Sequence, residues 1–88
     1  MRYCVVIAAL LTSLVSVTGF AGEYKDHCAT GLAIYEVLVE TDCSVNWTDS
    51  RSERIYCFSS EATMEEFLED TDANIAKADK KFVELGAN

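Results

Sequence analysis

The segment VETDCSVNWTDSRSERIYCFSSEATMEEF, residues 39–67, decides the fold because it brings together strand-like and helix-like hydrophobic patterns. From Glu36 to Trp47 the chain alternates, with apolar or β-branched side chains at nearly every odd position and polar ones at nearly every even position. This period of two is typical of a strand with one buried face. Residues 48–53 are polar and turn-like, and the aromatic run that follows fits a second strand. The pattern therefore predicts a β-hairpin over residues 37–58.

The predicted hairpin can be given a register in which two cysteines face each other. If Trp47 is paired with Glu53, then Cys43 lies opposite Cys57 on the same face of adjacent strands. The Cβ atoms of such a pair are about 5 Å apart. This register therefore predicts that the two sulfur atoms are neighbours.

After residue 58 the hydrophobic spacing becomes that of α-helices. Ser59 or Ser60 can cap a first helix, whose apolar positions at i, i+3 and i+4 are Met64, Phe67 and Leu68. A second helix is expected to begin near Asp72 and to end at Gly86, with one apolar stripe formed by Ile75, Ala78, Phe82 and Leu85. The order predicts an α+β fold in which a small β-hairpin sheet is followed by two C-terminal helices packed on one face.

The N-terminal segment has the pattern of a secretory signal peptide. Residues 1–21 combine an early basic residue, a long apolar run and small residues before a cleavage site after Ala21. The apolar run is shorter than the ~20 residues that span a bilayer. We therefore predict a secreted or periplasmic protein with no membrane segment in its mature form. Its mature chain is divided into an irregular lead-in, residues 22–35, and a folded domain, residues 36–88.

The charge of the chain excludes several classes of partner. The formal net charge is −8, and it becomes −9 when Arg2 leaves with the signal peptide. Nucleic acids and anionic lipids need a basic surface, so neither is an expected partner. A metal ion or a cationic region of another exported protein is compatible with this charge. We also predict that the protein is not an enzyme, because no catalytic triad, glycine-rich phosphate loop or cofactor motif is present.

Three cysteines remain in the mature chain, and their roles can be read in three ways. Cys43 and Cys57 can bind a soft metal, copper(I) or zinc, with Cys28 or His27 supplying further ligands. Alternatively, any two of the three cysteines can form a disulfide, which an oxidising compartment favours. The third reading is that the thiols are inert and pack as small hydrophobic side chains. An odd number of cysteines leaves at least one thiol outside any intramolecular disulfide.

The run RIYCFSSEATMEEFLED, residues 54–70, resembles the second half of a YHS domain. The matching positions are Tyr56, Phe58, Ser59, Ser60, Phe67 and Asp70. Thr71 stands where the family has the proline of an Asp-Pro step. The segment around Cys43 is similar to the opening cysteine segment of the family, so that the resemblance covers about residues 36–72.

This resemblance implies a small α+β module of the kind that accompanies metal-handling proteins. Metal-type members carry cysteines at the positions that Ser59 and Thr63 occupy here. The expectation is therefore a small exported metal-binding module that holds or delivers a soft metal such as copper(I). Its ligands would be Cys43 and Cys57, with Cys28 or His27. The alternative is a disulfide-stabilised acidic protein-interaction domain that binds no metal.

Overall fold

The computed structural model describes residues 22–86, so the predicted signal peptide lies outside the described residues. The strands are β1 (Val45–Thr48) and β2 (Ile55–Phe58), and the helices are α1 (Glu61–Leu68) and α2 (Thr71–Glu84). Before them come an N-terminal turn, Glu23–Asp26, and a π-helical turn, Gly31–Tyr35. The two strands pair antiparallel and both helices follow them, which confirms the predicted α+β class.

The segment of residues 22–35 differs from the irregular lead-in that the sequence predicted. It contains both turns, and all residues from Cys28 to Ala33 are buried. Leu32 is completely buried in the main core. A chain this small has few apolar side chains, so its core recruits these residues as well. The folded domain therefore includes the N-terminal segment and does not begin at residue 36.

The turn of the hairpin is organised by the buried residue Asp49. Its backbone N–H donates to the carbonyl of Arg54 at 2.9 Å, and its carbonyl accepts from the N–H of Glu53 at 2.6 Å. Its carboxylate accepts from the N–H of Arg51 and from the hydroxyl of Ser52, each at 3.1 Å. These bonds close the polar segment that the sequence identified as a turn.

The first strand begins at Val45, whereas the alternation predicted a strand from Glu36 onward. The strand is therefore much shorter than predicted. Glu36 and Cys43 adopt left-handed backbone conformations, with φ of 63° and 62°, and these interrupt the extended chain. Val37 is 46% exposed, so the apolar face of the alternation is not buried along its whole length. Between these points the backbone pairs with the N-terminal segment through isolated bonds, such as Cys28 N–H to Val39 carbonyl at 2.7 Å, instead of a continuous ladder.

Helix α1 begins where the sequence placed it. The hydroxyl of Ser60 accepts from the N–H of Thr63 at 3.2 Å, and the Thr63 hydroxyl accepts from the N–H of Ser60 at 3.1 Å. This reciprocal capping box satisfies donors that the first turn of a helix leaves free. Phe67 is fully buried, while Met64 and Leu68 pack partly buried against the core. The predicted apolar face of this helix is therefore confirmed.

Helix α2 begins at Thr71, with Asp70 as its N-cap residue in place of the predicted Asp72. The side-chain N–H of buried Asn74 donates to the carbonyl of Phe67 at 2.9 Å, which joins the two helices. Gly86 follows the helix with a φ of 69°, a conformation that glycine adopts without strain. Of the predicted stripe, Ala78 is buried, Ile75 and Phe82 are partly buried, and Leu85 is exposed.

Candidate functional site around the Cys43–Cys57 disulfide

Cys43 and Cys57 form a disulfide that joins the loop before β1 to the middle of β2. The two residues are almost completely buried, and their Cα atoms lie 4.7 Å apart. The sequence left three roles open for this pair, and in this structure it is a covalent link. Oxidised sulfur atoms are not thiolates, so the pair does not bind metal in this form.

The structure corrects the register that first suggested the pairing. Trp47 pairs with Tyr56 instead of Glu53, and Cys57 pairs with Asn46 instead of Cys43. Cys43 therefore lies just outside the strand ladder. Its left-handed backbone turns the chain so that the sulfur atoms still meet. The disulfide therefore depends on a bend of the backbone at Cys43, which the alternation of apolar and polar residues does not indicate.

Asp26 is the third polar group at this position. Its Oδ1 atom lies 3.7 Å from Cys57 Sγ and accepts a 2.8 Å hydrogen bond from the backbone N–H of Gly22. The sulfur atoms of both cysteines and a carboxylate oxygen of Asp26 all lie within 4.8 Å of one another. Among residues 22–86, these three side chains form a group that could hold a metal ion.

Gly22 lies directly against the disulfide. A Cβ atom added to Gly22 would overlap Cys57 Sγ and would lie 3.1 Å from Cys43 Sγ. The backbone φ of Gly22 is −79°, which any residue can adopt. A glycine is therefore required at this position because there is no space for a side chain, and not because of the backbone conformation. The N-terminal segment therefore covers the disulfide through close backbone approach.

Thr41 holds the two halves of the site together. Its hydroxyl and its backbone N–H both donate to the carbonyl of Asp26, at 2.6 Å and 3.2 Å. The same hydroxyl accepts from the N–H of Cys43 at 3.1 Å. Asp26 also has a positive φ of 66°, and non-glycine residues held in such conformations concentrate at functional sites.

The other two predicted ligands are not part of this cluster, although the backbone of Cys28 pairs with that of Cys57. The ring Nδ1 of His27 is 2.7 Å from the carbonyl of Tyr24, and neither His27 nor Cys28 belongs to the cluster. Cys28 is a buried free thiol whose Sγ atom is 3.7 Å from the hydroxyl oxygen of Ser59. Burial alone would raise the pKa of this thiol, but hydrogen bonds from the surrounding backbone and from Ser59 lower it overall.

Asp26 is the member of the cluster that sequence reasoning missed. It precedes His27 directly, in a segment expected to be irregular, and nothing in its spacing relative to Cys43 marks it as a partner. One signal was available, namely the position of an acidic residue beside the His-Cys pair. It was not sufficient, because the left-handed turn that aims the carboxylate depends on tertiary contacts.

A second polar network anchors the N-terminal turn next to the site. The guanidinium of Arg54 pairs with Glu23 at 3.0 Å and with Asp79 at 2.9 Å, and it lies over the ring of Tyr56. The hydroxyl of Tyr24 donates to Asp79 at 2.7 Å. The three charged side chains are partly exposed, and the network connects the N-terminal turn, β2 and α2.

Tyr56 provides a prediction about pH, because its buried hydroxyl has no hydrogen-bond partner among the described residues. Burial raises the pKa of Tyr56 to about 12. In the unfolded chain a tyrosine ionises near pH 10, so stability is present below that pH and is lost as the pH rises further. Tyr56→Phe removes an unsatisfied group and should stabilise the protein by about 1 kcal/mol at pH 7.

The stability difference between Tyr56→Phe and the wild type should be about 1 kcal/mol larger at pH 11 than at pH 7. At pH 11 the phenol of Tyr56 ionises in the unfolded wild type and stabilises that unfolded state, whereas the variant has no phenol at this position. Urea unfolding of both proteins at pH 7 and pH 11 measures the two differences. The pH 7 pair serves as the control for any change in packing. An equal difference at both pH values would contradict the account of the buried phenol.

No protein-family model, curated protein or solved structure matches the chain in the comparisons. The resemblance to YHS domains therefore stays a prediction. Within residues 22–86, no helix is both long enough and apolar enough to cross a bilayer. Any function must accordingly be argued from the residues and the geometry described above.

Proposed function

We propose that this chain is a small exported protein-interaction domain, stabilised by the Cys43–Cys57 disulfide. The observation that carries the proposal is a run of exposed apolar side chains at residues 34–38. The exposed fractions are 37% for Ile34, 56% for Tyr35, 46% for Val37 and 41% for Leu38. Clustered apolar exposure on a small soluble domain is typical of a binding surface.

The apolar run is held in place by contacts on both sides. The hydroxyl of Tyr35 donates to the carboxylate of Glu66 on α1 at 2.9 Å. Glu36 pairs with Lys81 on α2 at 3.4 Å. The N–H of Val37 donates to the carbonyl of Gly31 at 3.0 Å. A surface fixed in this way loses little conformational entropy when a partner binds, which favours affinity.

Charge indicates the chemistry of the partner. Tyr35 lies beside α1, and this helix and the residues just after it carry the acidic side chains Glu61, Glu65, Glu66, Glu69 and Asp70. Lys77, Lys80 and Lys81 of α2 line a pocket together with Glu36 and Leu32, so a partner that covers the run meets an acidic border only where it approaches α1. We expect an apolar segment flanked by lysine or arginine on another exported protein, because opposite charges steer association and disfavour wrong partners.

The test places a photo-crosslinking amino acid at position 37 in the exporting host, with position 50 as the control. Position 50 lies in the exposed hairpin turn, outside residues 34–38. The crosslinked protein is identified by mass spectrometry and purified. We expect crosslinking from position 37 only, to a partner with a basic and apolar segment.

Binding of the purified partner is then measured for Leu38→Asp and for the matched control Ser50→Asp. Both variants add one negative charge at an exposed position. Leu38→Asp should weaken binding at least tenfold, whereas Ser50→Asp should leave it within twofold. Equal effects of the two variants, or no crosslink from position 37, would contradict the proposed surface.

Metal binding remains a second candidate function, and one observation favours it. The oxidised pair does not fit the copper(I) site that the sequence suggested, because both sulfur atoms are bonded to each other. Once reduced, the same residues would supply two thiolates beside the Asp26 carboxylate, and such a donor set suits zinc. The metal-binding candidate therefore applies to the reduced protein only.

A further inference from the structure

We propose that cleavage after Ala21 and reduction of the Cys43–Cys57 disulfide together create a four-donor zinc site. Its ligands are the two thiolates, the Asp26 carboxylate and the new α-amino group of Gly22. The inference rests on the metal-binding candidate and on the predicted cleavage site, and it adds the amine to the three side chains already described.

The position of Gly22 supports the amine as a ligand. Its nitrogen donates to Asp26 Oδ1 at 2.8 Å, so it already lies beside one proposed donor. Its Cα lies close to both sulfur atoms, since an added Cβ would meet each of them. Cleavage after Ala21 would convert the amide nitrogen of Gly22 into a terminal amine.

The distances suit a tetrahedral ion. Zinc bond lengths of about 2.0–2.3 Å place the donor atoms of a tetrahedral site about 3–4 Å apart. The distance from Cys57 Sγ to Asp26 Oδ1 is 3.7 Å, and the three side-chain donors lie within 4.8 Å of one another. The carboxylate oxygen therefore already lies at a suitable distance from one sulfur atom, and the two sulfur atoms must separate before one ion can bind both.

The set of two sulfurs, one nitrogen and one oxygen favours zinc over copper(I). Copper(I) selects soft sulfur ligands, whereas zinc accepts thiolate, nitrogen and carboxylate donors in one tetrahedral shell. The site is also closed to bulk solvent on the cysteine side, because Cys43 and Cys57 are almost completely buried. A four-ligand shell of this kind is typical of structural zinc.

The chemistry balances with a dithiol as the reductant. The dithiol gives two electrons and two protons to the disulfide, which becomes the thiols of Cys43 and Cys57, and the dithiol is itself oxidised to a disulfide. Zinc binding then displaces one proton from each thiol and one from the terminal ammonium. Without the reductant, the sulfur atoms stay bonded to each other and the site does not form.

The experiment uses the processed protein purified from the exporting host, with its N-terminus established by intact mass. Zinc affinity is measured by competition with a chromophoric chelator, before and after full reduction of the protein. We expect one zinc ion per reduced chain and none per oxidised chain. Circular dichroism of each sample reports whether the fold is retained.

Three comparisons assign the ligands in the reduced state. Acetylation of the α-amino group should weaken zinc binding at least tenfold, as should Asp26→Asn. The control Asp42→Asn alters an exposed carboxylate outside the cluster and should change affinity less than twofold. Cys28→Ser should also leave binding unchanged, because Cys28 does not belong to the cluster.

The outcomes separate the inference from the function on which it rests. Zinc binding that is unaffected by acetylation would overturn the amine as a ligand, while metal binding by the reduced protein would stand. Failure of the reduced, processed protein to bind zinc would overturn both. A protein whose N-terminus is not Gly22 would also overturn the proposed site.

Discussion

Replacing Cys43 and Cys57 together by serine should lower the free energy of unfolding by about 3 kcal/mol. The disulfide closes a loop with a sequence separation of 14 residues, and the unfolded chain without it gains conformational freedom. The loss is large for a domain of this size, because small domains bury too little surface to be stable by a wide margin. It is one of the two largest effects that we expect from any substitution.

Urea unfolding with and without a reductant measures this effect. The wild type and Cys28→Ser should both lose about 3 kcal/mol when reduced, whereas the double variant Cys43→Ser, Cys57→Ser should not respond to the reductant. Cys28→Ser is the matched control, since it removes a buried thiol that is outside the disulfide. A wild type that is equally stable in both conditions would contradict the structural role of the disulfide.

Phe67→Ala should destabilise the domain by about 3–5 kcal/mol. The ring of Phe67 is completely buried and lies between two aromatic residues of β2. Its centroid is 5.7 Å from that of Tyr56 and 5.4 Å from that of Phe58. The substitution removes the ring contacts that Phe67 makes with Tyr56 and Phe58 and leaves a cavity that the surrounding rings fill only in part.

The control for Phe67→Ala is Val83→Ala on α2. Val83 is 61% exposed, so truncation of its side chain should change stability by less than about 0.5 kcal/mol. Thermal unfolding followed by near-ultraviolet circular dichroism reports both stability and loss of aromatic packing. A cost below about 1.5 kcal/mol for Phe67→Ala would contradict the central position of this ring in the core.

The helical half of the fold follows from local sequence signals. Ser60 caps α1 through a bond to the third residue of the helix, and Gly86 supplies the left-handed residue that ends α2. Both effects act over a few neighbouring residues, so the sequence pattern was sufficient to predict them. The burial of Phe67 and Ala78 also follows directly from helical spacing.

The hairpin and the site depend on contacts that local patterns do not encode. The alternation from Glu36 onward predicted one long strand, but left-handed residues at Glu36 and Cys43 confine the ladder to Val45–Thr48. Asp26 reaches the disulfide only because Thr41 bonds to its carbonyl from a distant part of the chain. The sequence therefore suggested that Cys43 and Cys57 are neighbours, but it predicted neither their register nor Asp26.

The state of the cysteine pair links the two functional proposals. In the oxidised form the pair stabilises the domain that presents the exposed run at residues 34–38. In the reduced form the same residues become available as thiolate ligands, together with Asp26. The balance between the two forms is set by the reducing power of the compartment in which the protein resides.

The most direct test of this account is to map the cysteines of the purified protein. The protein is denatured and alkylated without reduction, digested, and analysed by mass spectrometry. The account predicts a linked pair of peptides that contain Cys43 and Cys57, together with alkylation at Cys28. Alkylation of Cys43 and Cys57, or a disulfide that involves Cys28, would contradict it.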